Sequence, residues 1–311
     1  MSSNNINVED ASSCQADLTS CCASCGIAEG DNVKLKKCNG CHLVRYCGVQ
    51  CQKDHRSQHK RACKKRAAEL RDELLFKQPE STHRGDCPIC MIPLPLDETK
   101  SAIASCCSKI ICTGCKYAHL EREFEKGLGS KCPFCRKPVP TTEEEWNKQN
   151  LKRVEANDPI ALRSFALKHL KRGDYKGAFE YWTKAAKLGD ELSHYQLSCV
   201  YSDGLGDVEK DEKKKVYHLE QAAIGGHPEA RHNLARHEVI IGNTERGIKH
   251  FIIAAKLGFD VSLTNLKFAF EDGLISKEDF AAILRAHQAA VGATKSPQRE
   301  LADREAAERS G

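Results

Sequence analysis

The sequence predicts a multidomain protein in which two small metal-stabilised modules precede an α-solenoid of helix-turn-helix repeats. Three observations lead to this fold class. Of the 18 cysteines in 311 residues, 17 lie at or before Cys135. They form two clusters with the spacing of metal ligands, and the rest of the chain has a recurring helical pattern. Because aromatic residues make up only 6% of the chain, a single large aromatic-rich core is not expected.

Residues 1–20 are polar and are expected to form a disordered tail. They lack a basic segment followed by an apolar one, so they do not predict a secretory signal. No run of 18 apolar residues occurs, so we expect no membrane segment and a cytoplasmic or nuclear protein. Disulfides are rare in these reducing compartments, where clustered cysteines are typically metal ligands.

The first cluster lies within residues 21–63 and contains four pairs of ligands. A gap of two residues lets both side chains of a turn reach one metal ion, and a gap of three places both on one face of a helix. Eight ligands predict two tetrahedral zinc sites, and zinc binding is expected to supply much of the folding free energy. The ligands are Cys22, Cys25, Cys38, Cys41, Cys47, Cys51, His59 and Cys63.

Two features of this cluster leave alternatives open. Cys21 is a second candidate for the first ligand, although Cys22 gives the two-residue gap. A basic run is interpreted as the solvated face of a helix, with nuclear localisation or nucleic-acid binding as alternatives. No aromatic residues interleave with this run, which argues against nucleic acid as a partner. The run consists of Lys60, Arg61, Lys64, Lys65 and Arg66.

With the Tyr46-Cys47 dipeptide before its third pair, this cluster resembles a MYND zinc finger. The resemblance implies a protein-binding module, often for short proline-containing peptides. It also implies a cross-brace, in which alternate ligand pairs share a zinc ion. One ion would be held by Cys22, Cys25, Cys47 and Cys51, and the other by Cys38, Cys41, His59 and Cys63.

Residues 64–83 predict a charged helical linker whose helix is stopped by Pro79. The second cluster follows within residues 84–140 and again contains eight potential ligands in four pairs. The pairs are Cys87 with Cys90, Cys106 with Cys107, Cys112 with Cys115, and Cys132 with Cys135.

The order of these pairs and the CPIC and CPFC turns resemble a RING finger. In that family a histidine is expected where this chain has Lys109, whose ammonium has no lone pair for a metal. Cys106 is the replacement, which gives an all-cysteine variant with tight geometry at Cys106 and Cys107. The resemblance again implies a cross-brace, so four zinc ions per chain are predicted. One would be held by Cys87, Cys90, Cys112 and Cys115, and the other by Cys106, Cys107, Cys132 and Cys135.

The RING resemblance implies a ubiquitin ligase that positions a ubiquitin-loaded conjugating enzyme and performs no covalent chemistry itself. In the family, the residues matching Ile89, Pro133 and Arg136 contact these partners. RING-like folds that only mediate binding share the same turns, so a non-catalytic scaffold is the alternative. No serine-histidine-aspartate arrangement or phosphate loop stands out, and no catalytic residue is assigned to the chain.

Residues 141–290 have a helical pattern that begins with a capping-box signal at Thr141 and Thr142. Alanine pairs recur at spacings of 37 and 32 residues, each followed by glycine. The middle unit is five residues longer, which we assign to the Gly-, Asp- and Lys-rich stretch 202–214. Each unit is therefore interpreted as helix, turn and helix. The markers are Ala185-Ala186 with Gly189, Ala222-Ala223 with Gly226 or Gly225, and Ala254-Ala255 with Gly258.

The unit DYKGAFEYWTKAAKLGD resembles a Sel1-like repeat, a relative of the tetratricopeptide repeat. The resemblance covers residues 156–260, with a degenerate fourth helical pair to about 290, and implies an extended surface for protein partners. A generic helical bundle is the alternative. Residues 291–311 are expected to be a polar tail without an apolar face. The sequence thus predicts a zinc-binding adaptor that is either a ubiquitin ligase recruiting protein substrates or a non-catalytic scaffold.

Overall fold

The computed structural model describes residues 20–127 and 129–309. The chain divides into two compact units, the first ending at Leu75 and the second beginning at Phe76. Thirteen α-helices occur in the described residues, and none of these helices is long and apolar enough to cross a membrane. Apart from its last residue, the tail expected to be disordered at residues 1–20 lies outside the described residues.

The first unit is built around a core lined by cysteine. Its elements are β1 (Lys36–Lys37), β2 (Arg45–Tyr46), α1 (Val49–Asp54) and α2 (Arg56–Leu75). The two strands pair antiparallel, with Lys36 opposite Tyr46. In this core the buried aliphatic side chains are Leu35 and Val44, which lie beside Tyr46 and three buried cysteines. Apolar burial on this scale stabilises a fold only weakly, so the unit depends on metal binding.

The last helix of this unit and the predicted charged linker form one continuous helix. α2 carries His59 and Cys63 and continues without a break to Leu75. The helix therefore ends four residues before Pro79, not at it. The linker assigned to residues 64–83 is thus helical only in its first part, which belongs to the first unit.

The second unit begins with another small cysteine-rich module. Its elements are a 3-10 turn (Glu98–Lys100), β3 (Ser101–Ile103), β4 (Ile110–Cys112) and α3 (Thr113–Glu125). β3 and β4 pair antiparallel, with Ala102 opposite Ile111. Ile111 and Leu94 form the core with three buried cysteines. Between the strands, Ser108 adopts a left-handed backbone, and its N–H donates to the carbonyl of Ala104 over 2.7 Å.

Helices α4 to α12 form the repeat region, and most of them are 13 residues long. Their bounds are α4 (Glu143–Glu155), α5 (Pro159–Lys171), α6 (Tyr175–Lys187), α7 (Glu191–Asp203), α8 (Glu212–Ile224), α9 (Pro228–Ile240), α10 (Thr244–Lys256), α11 (Asp260–Glu271) and α12 (Lys277–Ala293). Before each helix from α5 to α8, an aspartate side chain accepts the backbone N–H of the third helical residue, which fixes where these helices begin. Thr142 does the same for α4, and Glu145 reaches back to the N–H of Thr141, as the capping-box signal predicts.

The packing of these helices follows the predicted repeat. All three alanine pairs are buried. Gly226, rather than Gly225, adopts the left-handed backbone that ends its helix. The connection between α7 and α8 has eight residues, 204–211, whereas the corresponding connections 172–174 and 241–243 have three. The five additional residues of the middle repeat therefore lie within the predicted stretch.

The C-terminal segment departs from the expected polar tail at residues 291–311. After α12, a further helix, α13 (Pro297–Glu308), packs against α3. Its buried residues are Arg299 and Ala302. A small side chain and a charged one give no apolar periodicity, which is why the hydrophobic pattern does not indicate a buried face here.

Candidate metal centres

Four turns with a two-residue gap share one local geometry. In each, the N–H of the residue after the second cysteine donates to the carbonyl of the first cysteine, over 2.8 to 3.1 Å. That following residue adopts a left-handed backbone with φ between +57° and +75°. The turn brings both sulfurs to the same side, where one metal ion can bind them. The following residues are Gly26, His42, Met91 and Arg136.

The pKa of the first cysteine of each turn is lowered, which shifts its equilibrium toward the thiolate, the form that binds zinc. Burial raises the pKa of these thiols, but backbone N–H groups that donate to each sulfur outweigh this effect. The pKa of Cys22 and of Cys38 falls to about 6, and that of Cys87 to about 7. The pKa of Cys132 is lowered by the same balance.

The first group consists of Cys22, Cys25, Cys47 and Cys51, whose sulfurs all lie within 4.8 Å of one another. The sulfur of Cys47 is 3.6 Å from that of Cys25 and 3.5 Å from that of Cys51. A tetrahedron with Zn–S bonds of about 2.3 Å has edges of about 3.8 Å, so these sulfurs fit around one zinc ion. Cys21, the alternative ligand, is outside the group.

The second group combines Cys38 and Cys41 with two residues of α2, His59 and Cys63. One helical turn separates the latter two, so they project from the same face. The sulfurs of Cys38 and Cys63 are 3.7 Å apart, and His59 Nε2 lies 3.2 Å from the sulfur of Cys41. The buried ring of Tyr46 packs edge-on to His59. The donor set of three sulfurs and one imidazole nitrogen is typical of a structural zinc site.

The third group joins Cys87 and Cys90 to the pair at the start of α3. Cys112 is the N-cap of this helix, and its sulfur accepts the N–H of Cys115 over 3.3 Å. The sulfurs of Cys90 and Cys112 are 3.9 Å apart. Burial raises the pKa of the Cys112 thiol, and the N–H of Cys115 only partly offsets this effect.

The fourth group contains the adjacent Cys106 and Cys107 together with Cys132 and Cys135. The sulfurs of Cys107 and Cys132 are 3.7 Å apart, and those of Cys106 and Cys135 are 3.2 Å apart. The turn between β3 and β4 directs both neighbouring sulfurs to the same point. Lys109 is exposed and lies outside the group.

Residues expected to contact partners lie on two of the turns. Ile89 is 44% exposed, and Pro133 is half-buried. Arg136 is exposed, and its Nη2 lies 4.0 Å from Oε1 of the buried Glu123. The structure therefore leaves an apolar side chain of the first turn and a guanidinium of the last turn accessible.

The basic run lies on α2, outside the ligand groups. Lys60, Arg61, Lys64 and Lys65 are exposed, as expected for the solvated face of a helix. Arg66 forms ion pairs with two glutamates of the same helix, over 2.8 and 3.2 Å.

The sequence analysis missed one residue that touches a ligand group. Arg299 of α13 donates from Nη2 to the sulfur of Cys90 over 3.5 Å. The two residues are 209 positions apart, and no motif includes Arg299. No signal in a single sequence could have found this contact.

Comparison with known families identifies two of the three modules. Residues 22–63 match the family model of the MYND finger. The first cluster is a MYND finger. Residues 167–190, 192–227 and 228–259 match the Sel1 repeat, so the helical pairs in this region are Sel1 repeats. No curated protein sequence matches the chain.

The solved structures that are similar to this chain include two repeat proteins. One is a protective antigen of uropathogenic Escherichia coli that displays an SLR fold, with 20% identity over 56% of this chain and 38% of that chain, and a TM-score of 0.41. The other is a Sel1 repeat protein from Oxalobacter formigenes, with 20% identity over 56% of this chain and 71% of that chain, and a TM-score of 0.41. The match thus spans well under half of the first structure's length.

The MYND finger and the Cys/His groups make this a zinc-binding protein. Sel1 repeats stack into solenoids that present an extended surface to other proteins. The chain therefore combines a zinc-binding finger with repeats of a kind that mediates protein–protein interaction.

Proposed function

We propose that the second finger of this adaptor is a RING-type ubiquitin ligase module. It recruits a ubiquitin-conjugating enzyme, while the MYND finger and the Sel1 repeats recruit protein substrates. Such a module acts by positioning the conjugating enzyme and ubiquitin, so it needs no nucleophile of its own. The observation that carries the proposal is the pair of interleaved four-cysteine groups between Cys87 and Cys135, with Ile89 exposed on the first turn.

The accessible guanidinium of Arg136 favours a ubiquitin ligase over a finger that only binds other proteins. Its contact with Glu123 is long, at 4.0 Å, and the Arg136 side chain is exposed. A contact of this length holds the exposed guanidinium only weakly, although Glu123 is buried, so Arg136 can turn toward a bound partner. The same ion pair is also the observation that favours the alternative, a non-catalytic scaffold in which Arg136 only stabilises the finger.

The metal content follows from the same proposal. Each of the four Cys/His groups holds one zinc ion, which gives four per chain. A cytoplasmic or nuclear location keeps the thiols reduced and available to zinc. In each finger the zinc ions supply the folding free energy that the few apolar residues do not.

The ligase proposal is tested by autoubiquitination of the zinc-loaded full chain with a panel of ubiquitin-conjugating enzymes. We expect chains to form with at least one enzyme, and Ile89→Ala to lower the rate at least tenfold. Ile103→Ala is the matched control, because Ile103 is exposed to almost the same extent, on β3. The non-catalytic scaffold would remain as the function if no conjugating enzyme gave ubiquitin chains and Ile89→Ala bound these enzymes no differently from the wild type.

For the MYND finger we propose proline-containing peptides as ligands. The test is binding of a proline-rich peptide library to the full chain, with and without a zinc chelator. We expect binding that the chelator abolishes, because the finger depends on its metal for folding. Chelator-resistant binding would assign the peptides to another surface.

A further inference from the structure

The C-terminal helix is seated directly on the second finger. α13 packs against α3 so closely that a Cβ atom added at Gly114 would lie 2.9 Å from the backbone N of Arg299 and from the carbonyl of Gln298. Lys100, in the 3-10 turn before β3, forms an ion pair of 2.9 Å with Asp303 of α13. The helix is therefore held at its first turn and again near its middle.

Arg299 extends from the first turn of α13 into the third ligand group. Its side chain is buried, with the residue only 5% exposed. One nitrogen, Nη1, donates to the carbonyl of Pro93 over 2.7 Å. The other, Nη2, donates to the carbonyl of Ile92 over 3.0 Å and to the sulfur of Cys90 over 3.5 Å. The planar guanidinium thus bonds the turn and a predicted zinc ligand at the same time.

The charges around this contact suit a metal–thiolate centre. A zinc ion with four thiolates carries a net charge of −2, and burying that charge is unfavourable unless cations or N–H donors lie nearby. Arg299 supplies both a positive charge and a donor at the edge of the group. Hydrogen bonds of this kind orient metal ligands, and their removal typically weakens metal affinity 10- to 100-fold.

We propose that Arg299 is a positioning residue for the zinc ion held by Cys87, Cys90, Cys112 and Cys115. We further propose that α13 stabilises this site by packing against the finger, and we call α13 in this role the clasp. Metal retention in the second finger then depends on the C-terminal end of the chain, and docking of α13 depends in turn on the metal. The proposal rests on the four-zinc assignment of the proposed function but is independent of ligase activity.

The test measures zinc release from the full chain to a colorimetric chelator. We expect Arg299→Met to release one of the four zinc ions about 10- to 100-fold faster than the wild type. Arg304→Met is the matched control, since Arg304 is exposed on the same helix, and it should release zinc at the wild-type rate. Arg299→Lys keeps the positive charge but lacks the planar set of N–H donors, so we expect a rate of zinc release between those of the wild type and Arg299→Met.

A second readout separates positioning from simple packing. With cobalt in place of zinc, Arg299→Met should shift the thiolate-to-cobalt absorption of one site, whereas a purely structural contact would leave this band unchanged. Equal release rates and spectra for Arg299→Met and Arg304→Met would overturn the clasp alone. A wild-type content of two zinc ions or fewer would overturn the zinc assignment of the second finger and the clasp with it.

Discussion

At the scale of single residues, Cys106 and Cys107 decide how the second finger differs from a histidine-containing one. The turn between β3 and β4 allows both neighbouring sulfurs to join Cys132 and Cys135. Lys109, at the position where a histidine is expected, is turned to the solvent. An all-cysteine site is therefore compatible with the fold without any ligand from Lys109.

If both neighbours bind zinc, then Cys107→Ser should reduce the metal content from four zinc ions per chain to three. Serine lacks the thiolate that binds zinc strongly, and three remaining ligands leave the site open. Cys199→Ser is the control, because Cys199 lies in a helix of the repeats, and four zinc ions should remain. The measurement is zinc per chain by elemental analysis. Four zinc ions in Cys107→Ser would remove Cys107 from the ligand set.

Two histidines of the second unit form a stacked pair that is neutral in the folded state. The rings of His83 and His227 lie 4.2 Å apart, and Tyr195 stacks on the other face of His227 at 4.5 Å. Burial, reinforced by the charges of Arg84 and Arg163, lowers the pKa of His83 to about 3. Burial likewise lowers the pKa of His227 well below its usual value.

Because these pKa values are lower in the folded chain, the unfolded chain binds more protons between about pH 6.5 and 3. The free energy of unfolding should therefore fall as the pH falls through this window, by up to about 1.4 kcal/mol per pH unit for each histidine. His227→Asn keeps a side-chain acceptor for the N–H of Ala230, at the start of α9, but cannot titrate. We expect the free energy of unfolding of this variant, measured with urea, to depend less steeply on pH than that of the wild type.

Zinc release at low pH affects the wild type and His227→Asn alike. The difference between their slopes of unfolding free energy against pH therefore measures the contribution of His227. Identical slopes for the wild type and His227→Asn would show that the stacked pair does not contribute.

At the scale of elements, helices of similar length are used in two ways. The repeat helices bury apolar stripes, such as Ala178, Trp182 and Ala185 on α6. α13 instead buries Ala302 and a hydrogen-bonded Arg299 against α3. Its docking depends on close approach of two backbones and on polar contacts, not on apolar area.

This close approach predicts the effect of a single methyl group. Gly114→Ala should destabilise docking of α13 by about 1–3 kcal/mol, since the new Cβ would overlap its backbone. Gly292→Ala is the control, because among the described residues no atom from outside its own helical turn lies within 4 Å of a Cβ there. We expect this variant to raise the free energy of unfolding by up to about 1 kcal/mol. Hydrogen exchange of residues 297–308 measures docking. Unchanged protection in Gly114→Ala would contradict the observed contact.

At the scale of the whole molecule, two sources of stability are combined in one chain. The fingers have few buried aliphatic residues and many sulfurs, so their folding is tied to metal. The Sel1 repeats have an apolar core, with Trp182 and Leu197 fully buried among alanines. Hydrophobic burial supports such a core without a metal.

Chelation should therefore unfold the chain unevenly. With excess chelator, we expect backbone protection from hydrogen exchange to be lost in residues 20–63 and 84–140 and retained in α5 to α10. Residues 297–308 should lose protection together with the second finger, because α13 docks on it. Equal loss of protection in α5 to α10 would show that the repeats also depend on the metal.

The sequence by itself determined the features that depend on short spacing. A gap of two or three residues places ligands on one turn, and the alanine and glycine markers recur after 37 and 32 residues. The MYND finger and the Sel1 repeats are therefore predictable from local pattern. The five additional residues of the middle repeat were assigned correctly to the stretch 202–214 for the same reason.

Only the tertiary structure decided which distant residues meet. It brought Cys106 and Cys107 together with Cys132 and Cys135. It also determined that the long helix ends at Leu75. It also directed Arg299 to the sulfur of Cys90, across 209 positions of the chain. Such contacts depend on how complete elements pack, and a buried arginine leaves no periodic signal in the sequence. The spacing of the cysteines thus predicts candidate zinc ligands, whereas packing determines what surrounds each ligand group.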